Sequence, residues 1–526
     1  MKKILILTLL AVIGLTVTAS VKEPVVKISD GALRGVEADG VDAFLGIPYA
    51  QAPVDSLRWR APQPVKPWQG VREADRPGPS SMQFSRSDYG KRFSVGASED
   101  CLYLNLWRPA GDVRNLPVMV WFHGGGFVEG SGSDPMFEGT AFARQGVILV
   151  TVTYRLGVFG FYSHPALTAE HPEEFKSNYA FMDMMAALRW VRDNIAAFGG
   201  NPSNVTIFGE SAGGAAVNAL LTIPSARGLF QKAIIMSGAG RRGFASSEDA
   251  AEAEQKGVAF ARRHGVTDTG AMGLAALRAL PADSLLSDVI AGNYGEVMKT
   301  YTGPIIDGRL VVEAAQDAYE AGRMARVPLM VGSTDAEDSG GWTPRKTLDE
   351  VFAVFGDNAA EARSLYDPDG KGDVVTVGSM FITDRCFSEQ ARYVARMFER
   401  AGLPAYVYRF GYVTESLRPR FPMGANHASE LGYVFDTLPT RVGATSVTPD
   451  DRKVASLMNT YFANFAKNGD PNGPGLPEWP LNNASTNLIL EVLPDATATG
   501  RQDPRTRRLD LIEAIPGPVT QGFGNP

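Results

Sequence analysis

The sequence predicts an α/β fold with a mostly parallel central sheet, flanking helices, and helical insertions that form a cap. Three observations carry this reading. Pro117 to Phe122 (PVMVWF) and Val147 to Tyr154 (VILVTVTY) are near-continuous apolar runs, as in strands buried on both faces. From Pro117 onward strand patterns alternate with helical ones, as a parallel sheet requires. Before Pro117, short strand-like runs alternate with turn residues.

The elements follow in chain order. Lys2-Lys3, an apolar run from Ile4 to Val17, and Thr18-Ala19-Ser20 read as a secretory signal over residues 1–19. An uncleaved anchor is the alternative, but the run is shorter than the roughly 20 residues a bilayer span needs. The expectation is a secreted or periplasmic protein without stable membrane insertion, with residues 20–526 forming a single domain. Ala180 to Phe198 is an amphipathic helix, because Phe181, Met185, Leu188, Val191 and Ile195 recur at intervals of three and four; Gly199-Gly200 ends it. Val205 to Phe208 and Lys232 to Met236 are the next strands. Ala-rich segments at about 246–297 read as a helical insertion over the sheet, and strands resume at Val327 to Val331 and Ala405 to Phe410. Gly469 to Pro480 and Gly517 to Pro526 read as loops or tails.

Composition bounds the function. The 526 residues are 44% hydrophobic and 21% charged, enough to bury a large core. A net charge of −7 argues against a nucleic-acid partner. The short basic runs Arg241-Arg242 and Arg505 to Arg508 read as solvated surface. Two cysteines and five scattered histidines make no metal-site spacing, and no cofactor is expected. Spacing does not establish a disulfide between Cys101 and Cys386.

The most specific motif is Gly209-Glu210-Ser211-Ala212-Gly213, set between the strand ending at Phe208 and a helix starting near Ser211. This is the G-x-S-x-G elbow in its strand–turn–helix context. A tight turn lifts the serine oxygen clear of the backbone, and the flanking glycines let strand and helix approach. Glu210 either tunes charge beside the serine or serves as a structural hydrogen-bond partner. His123-Gly124-Gly125-Gly126-Phe127 ends the earlier strand with uncovered amides; paired with the elbow it is an oxyanion loop, and Gly125, Gly126 and Ala212 are the amides assigned.

In α/β-hydrolases the chain order is serine, acid, histidine. His123, His164 and His171 precede Ser211, and His264 lies at the polar end of a helix, in a solvated setting. His427 therefore remains as the base. Three carboxylates, Asp335, Glu337 and Asp338, compete for the acid, and spacing does not separate them.

Several long motifs in one order resemble the type B carboxylesterase family, which includes para-nitrobenzyl esterases and cholinesterases. They are FLGIPYA (44–50), SEDCLYLNLWRP (98–109), HGGGF, TYRLGVFGF (153–161), FGGNPSNVTIFGESAGG (198–214) and NHASELGYVF (426–435). NGDPN and WP follow near the end. The resemblance implies hydrolysis of a small-molecule ester through an acyl-enzyme on Ser211. It places the acid of a G-x-x-x-D-E-G motif on Glu337 and the base on His427. Ala336 and Asp338 depart from that motif, so Asp338 is the runner-up. Relatives pair the cysteine matching Cys101 with one upstream; Ser80-Ser81-Met82-Gln83 has none, so the resemblance implies a buried free thiol at Cys101. Met184 stands where relatives often carry Gln. Some relatives are adhesion proteins that have lost triad residues, a rival reading that the intact motifs oppose; an amidase or thioesterase is the rival among enzymes. Phe84, Tyr89, Phe93, Phe127, Val128 and Trp342 line an apolar pocket or are plain core. Arg418 and Arg420 meet an anionic ester or are solvated loop residues.

Overall fold

The structure, a computed structural model, describes residues 23–83, 95–241, 249–286, 303–340 and 345–516. The proposed signal, Phe84, Tyr89, Phe93, Trp342, the tail from Gly517 and the flanks of the helical insertion lie outside the described residues.

Its centre is an eleven-stranded sheet. The strands are β1 (Val36–Ala38), β2 (Val41–Pro48), β3 (Tyr103–Pro109), β4 (Leu116–Phe122), β5 (Ile148–Val152) and β6 (Gly200–Glu210). There follow β7 (Lys232–Met236), β8 (Leu329–Thr334), β9 (Ala405–Phe410), β10 (Leu488–Val492) and β11 (Ala498–Gln502). Their spatial order is β11-β10-β9-β8-β7-β6-β4-β5-β3-β2-β1. Neighbours from β5 to β10 run parallel, and the antiparallel pairs lie at the margins.

The helices that matter here are α1 (Tyr179–Asn194), α2 (Ala212–Thr222), α3 (Ala250–Arg263), α4 (Ala271–Arg278), α5 (Val374–Thr383), α6 (Glu389–Arg400) and α7 (Pro449–Asn468). Strand pleating sends alternate side chains into two cores. Val118, Val120 and Val150 join Leu188 and Val191 of α1 on one face. Met119, Trp121, Leu149 and Phe208 join Val454, Met458 and Phe462 of α7 on the other. Both faces are covered, so β5, β7, β8 and β9 are buried along their whole length.

The predicted strands all form, with shifted ends. β8 begins at Leu329 rather than Val327, because Pro328 has no N–H to donate; the ladder starts with the Leu329 amide on the Pro404 carbonyl at 3.0 Å. α1 ends at Asn194, and a tighter turn over Ile195–Phe198 leads to Gly199 at φ +83°. The described part of the insertion is helical, opened by a reciprocal Asp249–Glu252 capping box at α3. It packs on the body through the Tyr162 hydroxyl, which donates to the Gly257 carbonyl at 3.0 Å. His264 differs from expectation: it is half-buried, its ring 4.6 Å from Phe260.

Arg241, Arg505 and Arg508 of the two basic runs prove to be structural, while Arg242 lies outside the described residues. Arg241 donates to both Glu389 oxygens at 2.5 and 2.8 Å. Arg508 donates to Asp384 at 2.7 Å, and Arg505 to Asp384 at 3.3 Å and to the Asp335 carbonyl at 2.8 Å. Their partners lie over a hundred residues away along the chain, beyond the reach of local pattern.

Arg155 and Asp183 join the β5 side of the sheet to α1. The guanidinium donates to both carboxylate oxygens, at 2.8 and 2.7 Å, and the Arg155 amide adds a third bond at 3.1 Å. Both side chains are essentially out of water, at 2% and 0% exposure. Asp183→Ala strands the cation, and the expected loss is about 3–5 kcal/mol of unfolding free energy, read from urea denaturation followed by tryptophan fluorescence.

Candidate active site

The backbone turns at Ser211 with φ +55° and ψ −122°, between the end of β6 and the start of α2. That conformation is sparsely populated for a side-chain-bearing residue and costs on the order of 1–3 kcal/mol. It is held from below: the Ser211 amide donates to the Met236 carbonyl on β7 at 2.9 Å. The elbow glycines are sterically required. A Cβ on Gly213 would stand 1.9 Å from the Phe122 carbonyl oxygen, and one on Gly209 2.4 Å from the Gly213 backbone.

The glycine loop leaves the adjacent strand β4 and passes the elbow closely. A Cβ on Gly124 would lie 3.1 Å from Ser211 Cβ. Gly125 has φ +102°, and its carbonyl accepts the amides of Val128 and Glu129, each at 3.0 Å. This folds the loop back on itself and turns its amides outward. Among the described residues none accepts a hydrogen bond from the Gly125, Gly126 or Ala212 amides. Two contacts fasten the loop's far end: Gln83 Nε2 donates to the Gly130 carbonyl at 2.8 Å, and the Gly130 amide donates to Gln83 Oε1 at 2.9 Å. The segment without a cysteine is thus fixed by hydrogen bonds, and Cys101 is a buried free thiol; Cys386 is buried and outside any disulfide. Burial pushes the Cys101 thiol up to about 12, so it stays protonated.

His427 and Glu337 come together from loops after β9 and β8. His427 Nδ1 lies 2.5 Å from Glu337 Oε2. Glu337 is fully enclosed, and its other oxygen accepts the Ser237 hydroxyl at 2.5 Å and the Thr334 amide at 2.8 Å. The two loops are bonded backbone to backbone. The Ala336 amide donates to the Ala425 carbonyl at 3.1 Å, and the His427 amide to the Glu337 carbonyl at 3.2 Å. Asp335 Oδ1 clamps the same loop by accepting the Ala425 amide at 2.8 Å. Asp338 turns elsewhere, accepting the Gly340 amide at 2.8 Å and the Ser379 hydroxyl at 3.2 Å. The three competing carboxylates therefore have three different environments.

The other ring nitrogen, His427 Nε2, lies 3.2 Å from Glu210 Oε1. This brings the imidazole to the residue next to Ser211. Glu210, Glu337 and Glu430 form a buried acidic group around the ring. Burial alone would lower His427, but Glu210 and Glu337, with Glu430 beyond, reverse this and carry it up to about 9. Burial pushes Glu210 up to about 7 against the pull of His427, and burial with the neighbouring anions pushes Glu430 up to about 8.

The remaining candidates divide. Phe127 is core, 1% exposed and edge-on to Phe161 at 5.2 Å; Val128 is half-buried. Arg418 and Arg420 are exposed. His123 stacks on Tyr154 at 4.3 Å, and burial lowers it to about 4. Met184 is enclosed in α1. Ser237 and the clamp role of Asp335 were not legible as site features. The only sequence hint for Ser237 is its place directly after a buried strand, where α/β sites collect.

A family model described as the carboxylesterase family matches residues 22–511. The chain is 36% identical over 474 residues to a fumonisin B1 esterase of Sphingopyxis macrogoltabida, covering 86% of this chain and 83% of that one. It is 34% identical over 501 residues to a para-nitrobenzyl esterase of Bacillus subtilis, covering 91% and 96%. Among solved structures, a PNB esterase superposes with a TM-score of 0.78 at 31% identity, covering 93% of this chain and all of that one, 100%. A Geobacillus stearothermophilus carboxylesterase gives 0.78 at 35% identity, covering 93% and 99%. The eleven-stranded sheet is accordingly an α/β-hydrolase sheet. The chain belongs to the carboxylesterase family and is a carboxylic ester hydrolase.

Proposed function

We propose that Ser211 is the nucleophile of this esterase, His427 its general base and acid, and Glu337 the carboxylate that orients the imidazole. The observation that carries this reading is the ring held between two carboxylates: Glu337 at 2.5 Å from Nδ1, and Glu210, the neighbour of Ser211, at 3.2 Å from Nε2. Nδ1 is committed to Glu337, which leaves Nε2 to take the serine proton. The serine oxygen bonds to the ester carbonyl carbon as His427 accepts its proton. The oxyanion that forms meets the amides of Gly125, Gly126 and Ala212. The carbonyl–alcohol bond then breaks, and His427 returns the proton to the departing alkoxide. Water repeats the sequence on the acyl-serine and releases the acid.

Serial substitution tests the assignment. Ser211→Ala is expected to lower kcat on 4-nitrophenyl butyrate by roughly 10⁶-fold and to abolish fluorophosphonate labelling. Glu337→Gln should cost about 10⁴-fold, whereas Asp338→Asn should stay within about tenfold, since the Asp338 carboxylate accepts the Gly340 amide and the Ser379 hydroxyl. Equal losses at the two acids would contradict the choice of Glu337.

The charge around the ring sets the pH profile. The base works only when neutral, and neighbouring anions favour its protonated form, so activity should climb with pH toward about 9. Glu210→Gln removes one of those anions, lowers the ring, and moves the acidic limb of kcat/KM to lower pH. A limb that stays in place, or moves up, would show that Glu210 does not act on the base.

We further propose that residues 1–19 direct export to the periplasm or medium and that 20–526 work as one unit. Among the described residues no helix is long and apolar enough to cross a membrane. Intact-mass analysis of protein recovered outside the cytoplasm should give an N-terminus at Ser20; recovery of the full chain from the cytoplasm would refute export.

A further inference from the structure

We infer that Arg345 and Arg385 form a receptor for a carboxylate carried by the ester substrate, beside the reacting centre. The inference rests on the assignment of Ser211 and His427 and adds to it a preference for anionic esters.

The two guanidiniums share one aromatic ring. Arg345 lies 4.8 Å and Arg385 5.9 Å from the centroid of Phe381, which is itself 1% exposed. Both arginines are half-buried. Among the described residues neither side chain donates a hydrogen bond or forms an ion pair. The nearby carboxylates are taken: Glu389 by Arg241 at 2.5 and 2.8 Å, Asp384 by Arg508 at 2.7 Å, and Glu350 by the Lys346 amide at 2.7 Å. Elsewhere in this chain the enclosed arginines are matched, Arg155 to Asp183, Arg409 to Asp503 and Arg392 to Asp510.

Two like charges at one ring repel, and the donors of both half-buried guanidiniums remain within reach of an incoming anion. Burial and the charge of Arg385 hold Arg345 below the usual arginine range, and burial and the charge of Arg241 do the same to Arg385. A planar carboxylate answers both at once, by paired N–H···O bonds that lysine could not reproduce.

The position points to substrate rather than to a distant effector. Arg385 lies in a widened helical turn, Asp384–Ser388, between α5 and α6, a distortion that often marks functional sites. Two residues on, the Phe387 ring lies 5.4 Å from the His427 ring. Arg345 follows closely on the loop that carries Glu337 and Asp338.

The test compares three esters of matched length: 4-nitrophenyl hexanoate, mono-4-nitrophenyl adipate with its charge on the acyl side, and 4-carboxyphenyl hexanoate with its charge on the alcohol side. The expected result is a kcat/KM for one charged ester about tenfold or more above the neutral one, declining as salt rises. In R345Q/R385Q that charged-to-neutral ratio should fall about tenfold, and in R345K/R385K it should fall partway. No charged preference, a ratio unmoved by R345Q/R385Q, or equal losses on charged and neutral esters would each overturn the receptor. Wild-type protein inert toward all three esters would instead overturn the Ser211 assignment.

Discussion

Everything at this site depends on how closely three stretches of backbone approach beneath Ser211. The end of β6, the first turn of α2 and the end of β4 converge where a single Cβ on Gly213 would stand 1.9 Å from the Phe122 carbonyl oxygen. Packing this tight forces the serine into its strained turn, and the Met236 carbonyl on β7 holds it there. Strain of a few kcal/mol is sustainable only because β4, β6 and β7 are central, buried strands whose ladders cannot shift independently. The sheet thus fixes Ser211 and the glycine loop to the same frame.

The proposed acid and base belong to a second frame, tied to the first through β7 and β8. Glu337 and His427 are ninety residues apart in sequence, yet their loops exchange two backbone hydrogen bonds and the Asp335–Ala425 clamp. Ser237, at the end of β7, donates to Glu337 and connects the serine's own neighbourhood to the acid. Behind the acid loop, Arg505 reaches the Asp335 carbonyl while bonding Asp384. The chain's C-terminal segment therefore braces the loop that carries Glu337. Precise placement of a base needs such redundancy, because a shift of about an ångström is enough to disable it.

These connections explain what could be read in the sequence and what could not. The buried strands announced themselves, since a run such as Val147 to Tyr154 has no amphipathic alternative. Ser211 and the glycine loop were legible because their chemistry is local: turn, donors and glycines are contiguous. His427 followed from chain order. The choice among Asp335, Glu337 and Asp338 was not legible from spacing, because residues one and two apart in a loop point in different directions that only tertiary contacts decide. The resemblance to a known motif selected Glu337, and tertiary contacts set Glu337 Oε2 2.5 Å from His427 Nδ1. β10 and β11 escaped notice: Leu488–Val492 is short and interrupted by Glu491, and β11 is polar because it is an edge strand. Arg505 looked like surface because its partners Asp384 and Asp335 are remote in sequence.

The acidic group around His427 sets a balance between two needs of the same imidazole. In the proposed mechanism, anions at Glu337 and Glu210 stabilise the imidazolium that forms when the serine gives up its proton, which lowers the barrier. The same anions keep the resting ring protonated, which removes the base. Burial of Glu210 eases the conflict: pushed up to about 7, it carries only part of a charge near neutrality, so its pull on the ring weakens where the ring must be free. A substrate bearing its own carboxylate would add another anion to this already negative centre and meet repulsion. On the proposed reading, Arg385, two residues before the phenylalanine that touches the ring, and Arg345, which shares the Phe381 ring with it, would offset that charge. On this account the acidic group tunes the base and the arginine pair makes the site hospitable to an anion, so each feature gives the other its reason.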